Sequence, residues 1–287
     1  MRKVAILFLL FTVRTAVAQE RPYLRILTYN VCEGLKMDTT AGKERFVAWM
    51  RDLDPDIAAM EEMNGFTQAR LEKLAAAYGH PYAVLLKDTG YPVALTSKYP
   101  IVAERVLDNM HHGFLIACTG GYNIVVAHLS PFSWRKRLQE VATVRAWIAA
   151  SGERKRWIVL GDLNSYSPLD SEGYADGRLL ELNRRGEDPR MHGKRQNLVD
   201  GTLDFVTQQT LLDVGFRDAF RLVNDAYVAS YPSPAKAAGN PDPVNCRLDY
   251  IYISRDLRRK VLAAEILRNG DAATLSDHLP LYIDLKR

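Results

Sequence analysis

Short runs of apolar and β-branched residues recur along the chain and predict a protein rich in strands. Residues 23–29 alternate between polar and apolar positions, and ten later runs have the length and composition of buried strands. Gly120 and Gly121 lie between two of these runs and are typical of a hairpin turn. The predicted strands cover residues 23–29, 56–60, 82–86, 93–97, 101–107, 114–119, 122–128, 157–160, 248–253, 261–267 and 279–285.

Apolar residues at helical spacing predict a smaller number of helices. Three longer ones are expected at 42–53, at about 71–78 and after residue 133, and shorter ones at 204–212 and 217–222. Strands mixed with helices that can cover their outer faces indicate an α/β sandwich.

Two polar stretches interrupt this pattern and are expected to be irregular. Residues 165–203 are rich in Gly, Asp, Arg and Asn and are interpreted as a long functional loop, with a short helix near Leu179 and Leu180. Residues 231–246 contain four prolines and form a second predicted loop.

The N-terminus has the composition of a secretory signal peptide. A basic start precedes an apolar run from Val4 to Val13, and Ala16-Val17-Ala18 fits the small residues before a cleavage site. The run is too short to span a bilayer comfortably, and no later segment is long and apolar enough, although an uncleaved anchor is the alternative. We therefore expect a signal peptide at 1–18, a single domain at 19–287, and a secreted or periplasmic monomer.

The charge of the predicted mature chain is nearly balanced. Residues 1–18 contain three basic side chains and no acid, so their removal lowers the formal net charge from +4 to +1. A nearly neutral protein has no strong overall attraction to polyanions. Nucleic acid therefore remains possible as a partner through a local patch, but net charge does not favour it.

Several other polar residues are expected to have ordinary surroundings. His80, His111, His112 and His192 are predicted on the surface, with a site at the rim of the catalytic cleft as the alternative for His111 and His112. The basic runs at 134–137 and 154–156 are predicted to be solvated. The three cysteines, Cys32, Cys118 and Cys246, are too few for a disulfide framework and are expected to be buried and inert. A bridge between Cys246 and either Cys118 or Cys32 is the alternative.

Polar side chains with catalytic potential follow the apolar runs at the points where the predicted strands end. If the strands align in one or two sheets, these side chains can meet at a common edge. They provide two imidazoles together with carboxylate and amide oxygens, and such hard oxygen ligands favour Mg²⁺ or Mn²⁺ over zinc. The residues are Asn30, Glu62, His128, Asp162, Asn164, Asp249, Asp277 and His278.

Seven short motifs carry a resemblance to a known superfamily. The chain resembles the endonuclease/exonuclease/phosphatase superfamily, which includes DNase I-like nucleases, exonuclease III-like enzymes, sphingomyelinases and inositol phosphatases. This resemblance implies a four-layer α/β/β/α sandwich of two mixed sheets, as in DNase I. In chain order, the motifs are Leu27-Thr28-Tyr29-Asn30-Val31, Pro55-Asp56-Ile57 to Glu62, Ala94-Leu95-Thr96-Ser97, Val126-Ala127-His128-Leu129, Gly161-Asp162-Leu163-Asn164, Arg247-Leu248-Asp249-Tyr250-Ile251 and Ser276-Asp277-His278-Leu279-Pro280.

The resemblance also implies a role for each polar residue. Glu62, Asn30 and Asp277 would hold the metal, and register favours Glu62 over its neighbour Glu61 as the main carboxylate. The expected roles of the other residues are water activation by Asp162, phosphate contact or base catalysis by His278, orientation of His278 by Asp249, and binding of phosphate oxygens by Asn164 and His128. Asp88 is a candidate acid partner for His128, and Glu33 a candidate extra ligand.

These roles describe a divalent-metal-dependent phosphoester hydrolase, either a phosphodiesterase or a phosphatase. Water would attack phosphorus in line while the ion neutralises the phosphate. A small phosphoester or a lipid headgroup is the expected substrate. A secreted nuclease that cleaves DNA or RNA is one alternative, and a binding protein without turnover on the same scaffold is another.

Overall fold

The computed structural model describes residues 21–191 and 194–287. The predicted signal peptide at 1–18 and His192 lie outside the described residues. The cleavage site and the start of the domain at residue 19 therefore stay predictions.

The described residues form fourteen strands, and the apolar runs predict all of the longer ones. Eleven of them match the eleven predicted runs to within about two residues, and three additional strands are only two residues long. They are β1 (Tyr23–Asn30), β2 (Ile57–Glu61), β3 (Tyr82–Leu85), β4 (Ala94–Ser97), β5 (Val102–Val106), β6 (Phe114–Thr119), β7 (Tyr122–Ala127), β8 (Trp157–Asp162), β9 (Leu198–Val199), β10 (Thr202–Leu203), β11 (Arg217–Asp218), β12 (Asp249–Ile253), β13 (Val261–Ile266) and β14 (Leu281–Lys286).

Helices are fewer and lie mostly between the strands. The three longer predicted helices are confirmed, and the short one expected near Leu179 is present. The helices are α1 (Cys32–Leu35), α2 (Glu44–Leu53), α3 (Gln68–Ala77), α4 (Trp134–Ala150), α5 (Arg178–Glu187), α6 (Val206–Asp213) and α7 (Pro234–Ala237), with 3₁₀ turns at Ala41–Lys43, Pro168–Tyr174, Pro189–Met191, Arg255–Leu257 and Gly270–Ala273. In the part of the chain that the structure describes, none of these helices has the length and apolarity to cross a bilayer.

The larger strands form two six-stranded mixed sheets of similar design. The first has the order β13-β14-β1-β2-β4-β3, and the second has the order β11-β12-β8-β7-β6-β5. Each sheet contains one parallel pair near its centre, β1 with β2 and β7 with β8, while the other neighbours are antiparallel. Parallel neighbours end at the same edge, so each sheet brings two strand ends together there.

The two sheets pack face to face, and helices cover their outer faces. Ile26 and Ile57 of the first sheet share a core with Ile158 and Ile251 of the second. On the outer face of the first sheet, α2 and α3 pack over alternate strand residues such as Leu27. Residues of α4 and α6 pack on the second sheet in the same way. The predicted four-layer α/β/β/α sandwich is therefore confirmed, and its strands are apolar on both faces because both faces are buried.

The region between β8 and β10 folds into a small unit of its own. The 3₁₀ turn at Pro168–Tyr174 and helix α5 pack around a satellite cluster that includes Tyr166, Tyr174 and Leu203. The described part of this insert, defined as residues 165–203, therefore packs into an apolar cluster that it shares with Tyr227 and Cys246, instead of forming the open loop that its polar composition indicates.

Some predictions from local sequence are wrong. The helix expected at 217–222 is absent, because Arg217 and Asp218 pair with β12 and the chain then turns. The basic run at 154–156 is exposed as expected, but Arg137 of the run at 134–137 is fully buried beside Asp204.

The expected surface positions of His80 and His112 are also wrong, because both side chains are buried. Cys32 and Cys246 are buried as expected, while Cys118 is exposed. All three cysteines are free, so neither alternative bridge is formed.

Candidate active site

The predicted polar residues meet where the two sheets end side by side. Asn30 ends β1, Asp162 ends β8 and is paired in register with Asp249, and Ser276 bonds Asn30 from the segment before β14. The site therefore takes side chains from both sheets, as the strand-end pattern predicts.

Asn30 connects a glutamate of the first sheet to an aspartate of the second. Its amide nitrogen donates to Oε1 of Glu62 over 3.1 Å and to Oδ2 of Asp162 over 3.0 Å. Its amide oxygen accepts from the backbone N–H of Cys32 over 3.1 Å, and the Ser276 hydroxyl donates to its backbone oxygen over 2.6 Å. Asn30 is fully buried, so these four bonds fix its orientation.

Glu61 and Glu62 are neighbours in sequence but have different surroundings. Glu62 has a positive φ of 61°, which turns its carboxylate into the cavity, where Oε2 also accepts from the backbone N–H of Glu33. Glu61 is fully buried, accepts from the Thr28 hydroxyl over 3.1 Å, and leaves Oε2 without a partner among the described residues. Burial raises the pKa of Glu61, with further contributions from Asp249 and Asp162. Glu33 itself is exposed and forms an ion pair with Lys36.

A buried imidazole lies between two carboxylates of the second sheet. Nδ1 of His278 is 2.9 Å from Oδ2 of Asp249, and its Nε2 is 3.8 Å from Oδ2 of Asp162. Burial opposes the charged imidazolium, but the two carboxylates outweigh this effect and raise the pKa of His278 to about 10. Burial raises the pKa of Asp162 to about 7, and the charge of His278 opposes that rise. The pair thus joins a charged donor to a base poised near neutral pH.

His128 approaches the same aspartate from the end of β7. Its Nε2 is 3.5 Å from Oδ2 of Asp162, while its Nδ1 has no hydrogen-bond partner in the described part of the chain. Asp88 is exposed, so the structure does not supply the acid partner considered for His128. His112 stacks on His128 instead, with ring centroids 4.3 Å apart. Burial lowers the pKa of His128, so this imidazole is neutral.

The end of β8 carries a glycine for steric reasons, and the loop that follows it orients Asn164. Gly161 has a φ of 135°, and a Cβ atom there would lie 1.9 Å from the backbone oxygen of Ala127. Asn164 has a φ of 47°, donates from its backbone to Oδ1 of Asp162 over 3.0 Å, and donates from its side chain to the Leu129 oxygen over 3.0 Å. Within Gly-Asp-Leu-Asn, the glycine thus allows the close approach of β7 to β8. The hydrogen bonds of Asn164 orient its own side chain and that of Asp162.

A cavity of about 730 Å³ lies over these residues. Glu62, Asp162, Asn164, Asp277, His278 and His128 form one part of its lining. The opposite wall comes from the insert and from the segment around Val244 to Leu248, and Tyr231 tilts against His278 with ring centroids 4.8 Å apart. A volume of this size suits a small organic ligand.

Several residues of the cavity wall were not predicted from the sequence. Tyr91, His112 and Phe132 lie beside His128, and Arg195 and Tyr231 line the side toward the insert. No motif marks them, because they come from turns and loops whose position depends on distant parts of the chain. The exception is the adjacent pair His111-His112: the surface position is wrong for His112, and both residues lie at the cavity, as the alternative of a rim site predicts.

The donor set fits a hard divalent cation. Oxygen atoms of Glu62 and Asp277 line the cavity, and one oxygen of Asp249 has no partner among the described residues. Single donor atoms of Asp162, Asp249 and His278 also lie within 4.8 Å of one another. Nδ1 of His278 is already bonded to Asp249 over 2.9 Å, so this nitrogen is not free to bind a cation.

Solved structures of other proteins have the same architecture. An AP endonuclease from Archaeoglobus fulgidus aligns with a TM-score of 0.66 at 17% identity, covering 92% of this chain and all of that one. A Neisseria 3′ phosphatase bound to a product DNA hairpin aligns with a TM-score of 0.64 at 18% identity, with the same coverage. An endonuclease/exonuclease/phosphatase protein from Beutenbergia cavernae aligns with a TM-score of 0.60 at 19% identity, covering 93% of this chain and 72% of that one.

The family match covers most of the chain, from the first residue of the first motif, Leu27, to His278. No curated protein sequence matches the chain. The model of the Endonuclease/Exonuclease/phosphatase family matches residues 27–278, which include all eight predicted site residues. The chain therefore belongs to the endonuclease/exonuclease/phosphatase family, whose members are metal-dependent hydrolases of phosphoester bonds.

Proposed function

We propose that this protein is a secreted, Mg²⁺- or Mn²⁺-dependent hydrolase of small phosphoesters. The observation that carries the proposal is the buried group of Asp249, His278 and Asp162, connected through Asn30 to Glu62 and open to a cavity of about 730 Å³. The composition of residues 1–18 supports export to a secreted or periplasmic location.

The metal would be held by Glu62 and Asp277, with Asn30 keeping Glu62 in place. When bound, the ion would neutralise the phosphate and polarise its phosphorus–oxygen bonds. The Asn30 amide oxygen already accepts from Cys32, so Asn30 serves this site mainly through its N–H bonds to Glu62 and Asp162. The donor set does not distinguish Mg²⁺ from Mn²⁺, because both prefer oxygen ligands.

The second sheet would supply the acid–base chemistry. Asp162, whose pKa burial raises to about 7, would accept a proton from the attacking water at Oδ2. His278, oriented by Asp249, would donate from Nε2 to a phosphate oxygen as negative charge develops. Asn164 and the neutral His128 would bind the remaining phosphate oxygens. Water would then form a bond to phosphorus in line with the ester bond that breaks.

Two observations bear on the substrate. The insert closes one side of the cavity, which favours a small phosphoester or a lipid headgroup over a polymer. The net charge of only +1 of the predicted mature chain also favours such a substrate over a polyanion. The solved structures of DNA-acting enzymes favour the alternative of a nuclease. A binding protein without turnover is the least supported alternative, because it has no chemical need for Glu62, Asp162 and His278 together.

A substrate panel tests the proposal. The purified mature protein is incubated with plasmid DNA, RNA, sphingomyelin, inositol phosphates and bis-p-nitrophenyl phosphate, each with Mg²⁺, Mn²⁺ or EDTA. We expect metal-dependent release of product from one or more small phosphoesters and none in EDTA. Cleavage restricted to nucleic acid would support the nuclease instead. Turnover that persists in chelator would contradict the metal, and no cleavage of any substrate would support a binding protein.

A further inference from the structure

Arg195 lies on a backbone segment of the insert that is fixed from both sides. The next residue, Gln196, forms a bridge with Ser133, accepts from Trp134 N–H over 2.9 Å and donates to the Phe132 oxygen over 2.7 Å. The backbone N–H of Arg195 donates to the Gly186 oxygen over 3.3 Å. An exposed side chain on an anchored backbone loses less entropy when it binds a ligand than one on a free loop does.

A buried network anchors the following residue as well. The Asn197 side chain accepts from Arg137 over 2.9 Å and donates to the Pro131 oxygen over 3.0 Å. Arg137 in turn forms a fully buried ion pair with Asp204. Helix α4 therefore holds the segment that carries Arg195 against the wall of the catalytic cavity.

Arg195 is the unpaired cation of this wall. Arg195 is an exposed residue that lines the cavity, and its side chain has no hydrogen-bond or ion-pair partner among the described residues. The other arginine on the wall, Arg185, forms an ion pair with Glu181 over 3.1 Å. The nearby amides of Asn183 and Asn197 are satisfied within the protein. A guanidinium is a strong site for an anion because its planar donors match phosphate or carboxylate oxygens.

Tyr231 connects Arg195 to the catalytic group. Its ring contacts His278, and its hydroxyl has no hydrogen-bond partner in the described part of the chain. Burial raises the pKa of Tyr231 to about 12, the carboxylate of Asp277 adds to this rise, and the positive charge of Arg195 opposes it. Tyr231 and Arg195 both line the cavity, and the ring of Tyr231 contacts His278 within it.

We propose that Arg195 forms a second anion site in the catalytic cavity, and that the substrate is a small phosphoester bearing a second anionic group, such as another phosphate. The inference rests on the proposed function and adds the class of substrate to it. The phosphate to be cleaved would lie at Glu62, Asp162 and His278, and the second anion would be bound by Arg195 with the Tyr231 hydroxyl beside it.

Matched pairs of mono- and bisphosphates test this second site. Inositol 1-phosphate is compared with inositol 1,4-bisphosphate, and fructose 1-phosphate with fructose 1,6-bisphosphate, by hydrolysis with the wild-type protein in Mg²⁺. Binding of the same compounds to Asp162→Asn is followed by calorimetry, which gives a readout that does not depend on turnover. We expect at least one bisphosphate to bind about tenfold to a hundredfold more tightly than its monophosphate.

Variants assign the preference to Arg195. Arg195→Gln, in the Asp162→Asn background for binding, should remove most of the preference for the bisphosphate, and Arg195→Lys should retain part of it. Arg184→Gln is the matched control, because Arg184 is an exposed arginine of the same helix-bearing insert that does not line the cavity. It should bind both compounds as the parent does.

The outcomes separate this inference from the proposed function. Equal affinity for mono- and bisphosphates, or a preference that Arg195→Gln leaves unchanged, would overturn the second anion site even if hydrolysis occurs. Absence of hydrolysis of these compounds and of every substrate in the panel, together with an Arg195-dependent binding preference, would retain the second anion site and reject the catalytic proposal. Binding of a short DNA strand is measured in the same way. If Arg195 is needed to bind the DNA strand and no bisphosphate binds, the second anion belongs to nucleic acid and the small-molecule assignment is overturned.

Discussion

Single residues at this site are distinguished by backbone conformation more than by chemistry. Glu61 and Glu62 are chemically identical and adjacent, yet the positive φ of Glu62 turns its carboxylate to the cavity while Glu61 stays in the interior. Motif register favours Glu62 as the metal carboxylate, and Glu62 lines the cavity while Glu61 does not. Burial and the nearby carboxylates of Asp249 and Asp162 raise the pKa of Glu61, which favours its neutral form beneath the cavity.

His80 gives a prediction about stability at the residue scale. It is buried beneath β4, with Nδ1 2.8 Å from the Thr96 hydroxyl and Nε2 2.8 Å from the Pro55 oxygen. Burial lowers the pKa of His80 from the ordinary 6.5 to about 4. Between these two pH values the unfolded chain binds a proton at this position that the folded chain does not. The free energy of unfolding should therefore fall as the pH is lowered through this range.

The predicted contribution is about 1.4 kcal/mol per pH unit between pH 6.5 and 4. Urea unfolding of the wild type and of His80→Gln at pH 5 and pH 7 measures it. Other buried histidines contribute to the slope of both proteins, so the comparison uses the difference between the slopes. The wild type should lose more stability at pH 5 than the variant does. Parallel slopes would show that His80 is protonated as easily in the folded protein as in the unfolded chain.

At the scale of elements, a buried ion pair joins helix α4 to the start of α6. Nε of Arg137 donates to Oδ2 of Asp204 over 2.8 Å, and both side chains are fully buried. The same guanidinium binds the Ser130 oxygen and Asn197. The pair thus fixes the segment after the insert and the cavity wall beside it.

Arg137→Met should destabilise the protein by about 3–5 kcal/mol, because Asp204 would remain buried without its cation. Arg145→Met is the matched control, since Arg145 is an exposed residue of the same helix and its loss should cost about 0.5 kcal/mol or less. Chemical denaturation measures both. A loss of less than about 1 kcal/mol in Arg137→Met would mean that the buried pair does not hold these elements together.

Elements also show where sequence reasoning succeeds and where it fails. Strands are predictable because period-two and continuous apolar runs depend only on which faces are buried. The burial of Arg137 is not predictable from the sequence, because its neighbours have the pattern of a solvated basic helix. Its partner Asp204 is 67 residues away. The segment 217–222 has helical composition, but pairing with β12 determines its conformation. Tertiary contacts override local preference at these places.

At the scale of the whole molecule, the site depends on two sheets ending at one edge. Motif order predicts all eight polar residues because strand ends are rigid and recur in the family, and the structure brings them to one cavity or its immediate surroundings. Arg195 and Tyr231 could not be found this way. Their segments, Lys194-Arg195-Gln196 and Tyr231-Pro232-Ser233, have no motif, and they reach the cavity only through the packing of the insert and of the loop before β12.

The most direct test of the account asks whether residues of both sheets serve one reaction. Glu62→Gln removes a carboxylate of the first sheet, and Asp162→Asn removes one of the second, each with almost no change of shape. Turnover of bis-p-nitrophenyl phosphate or of the best substrate is measured in saturating Mg²⁺, with thermal unfolding as the control for folding. The account predicts that each variant loses at least about a hundredfold in kcat/KM while it remains folded. A folded variant of either kind that keeps turnover within tenfold of the wild type would contradict it.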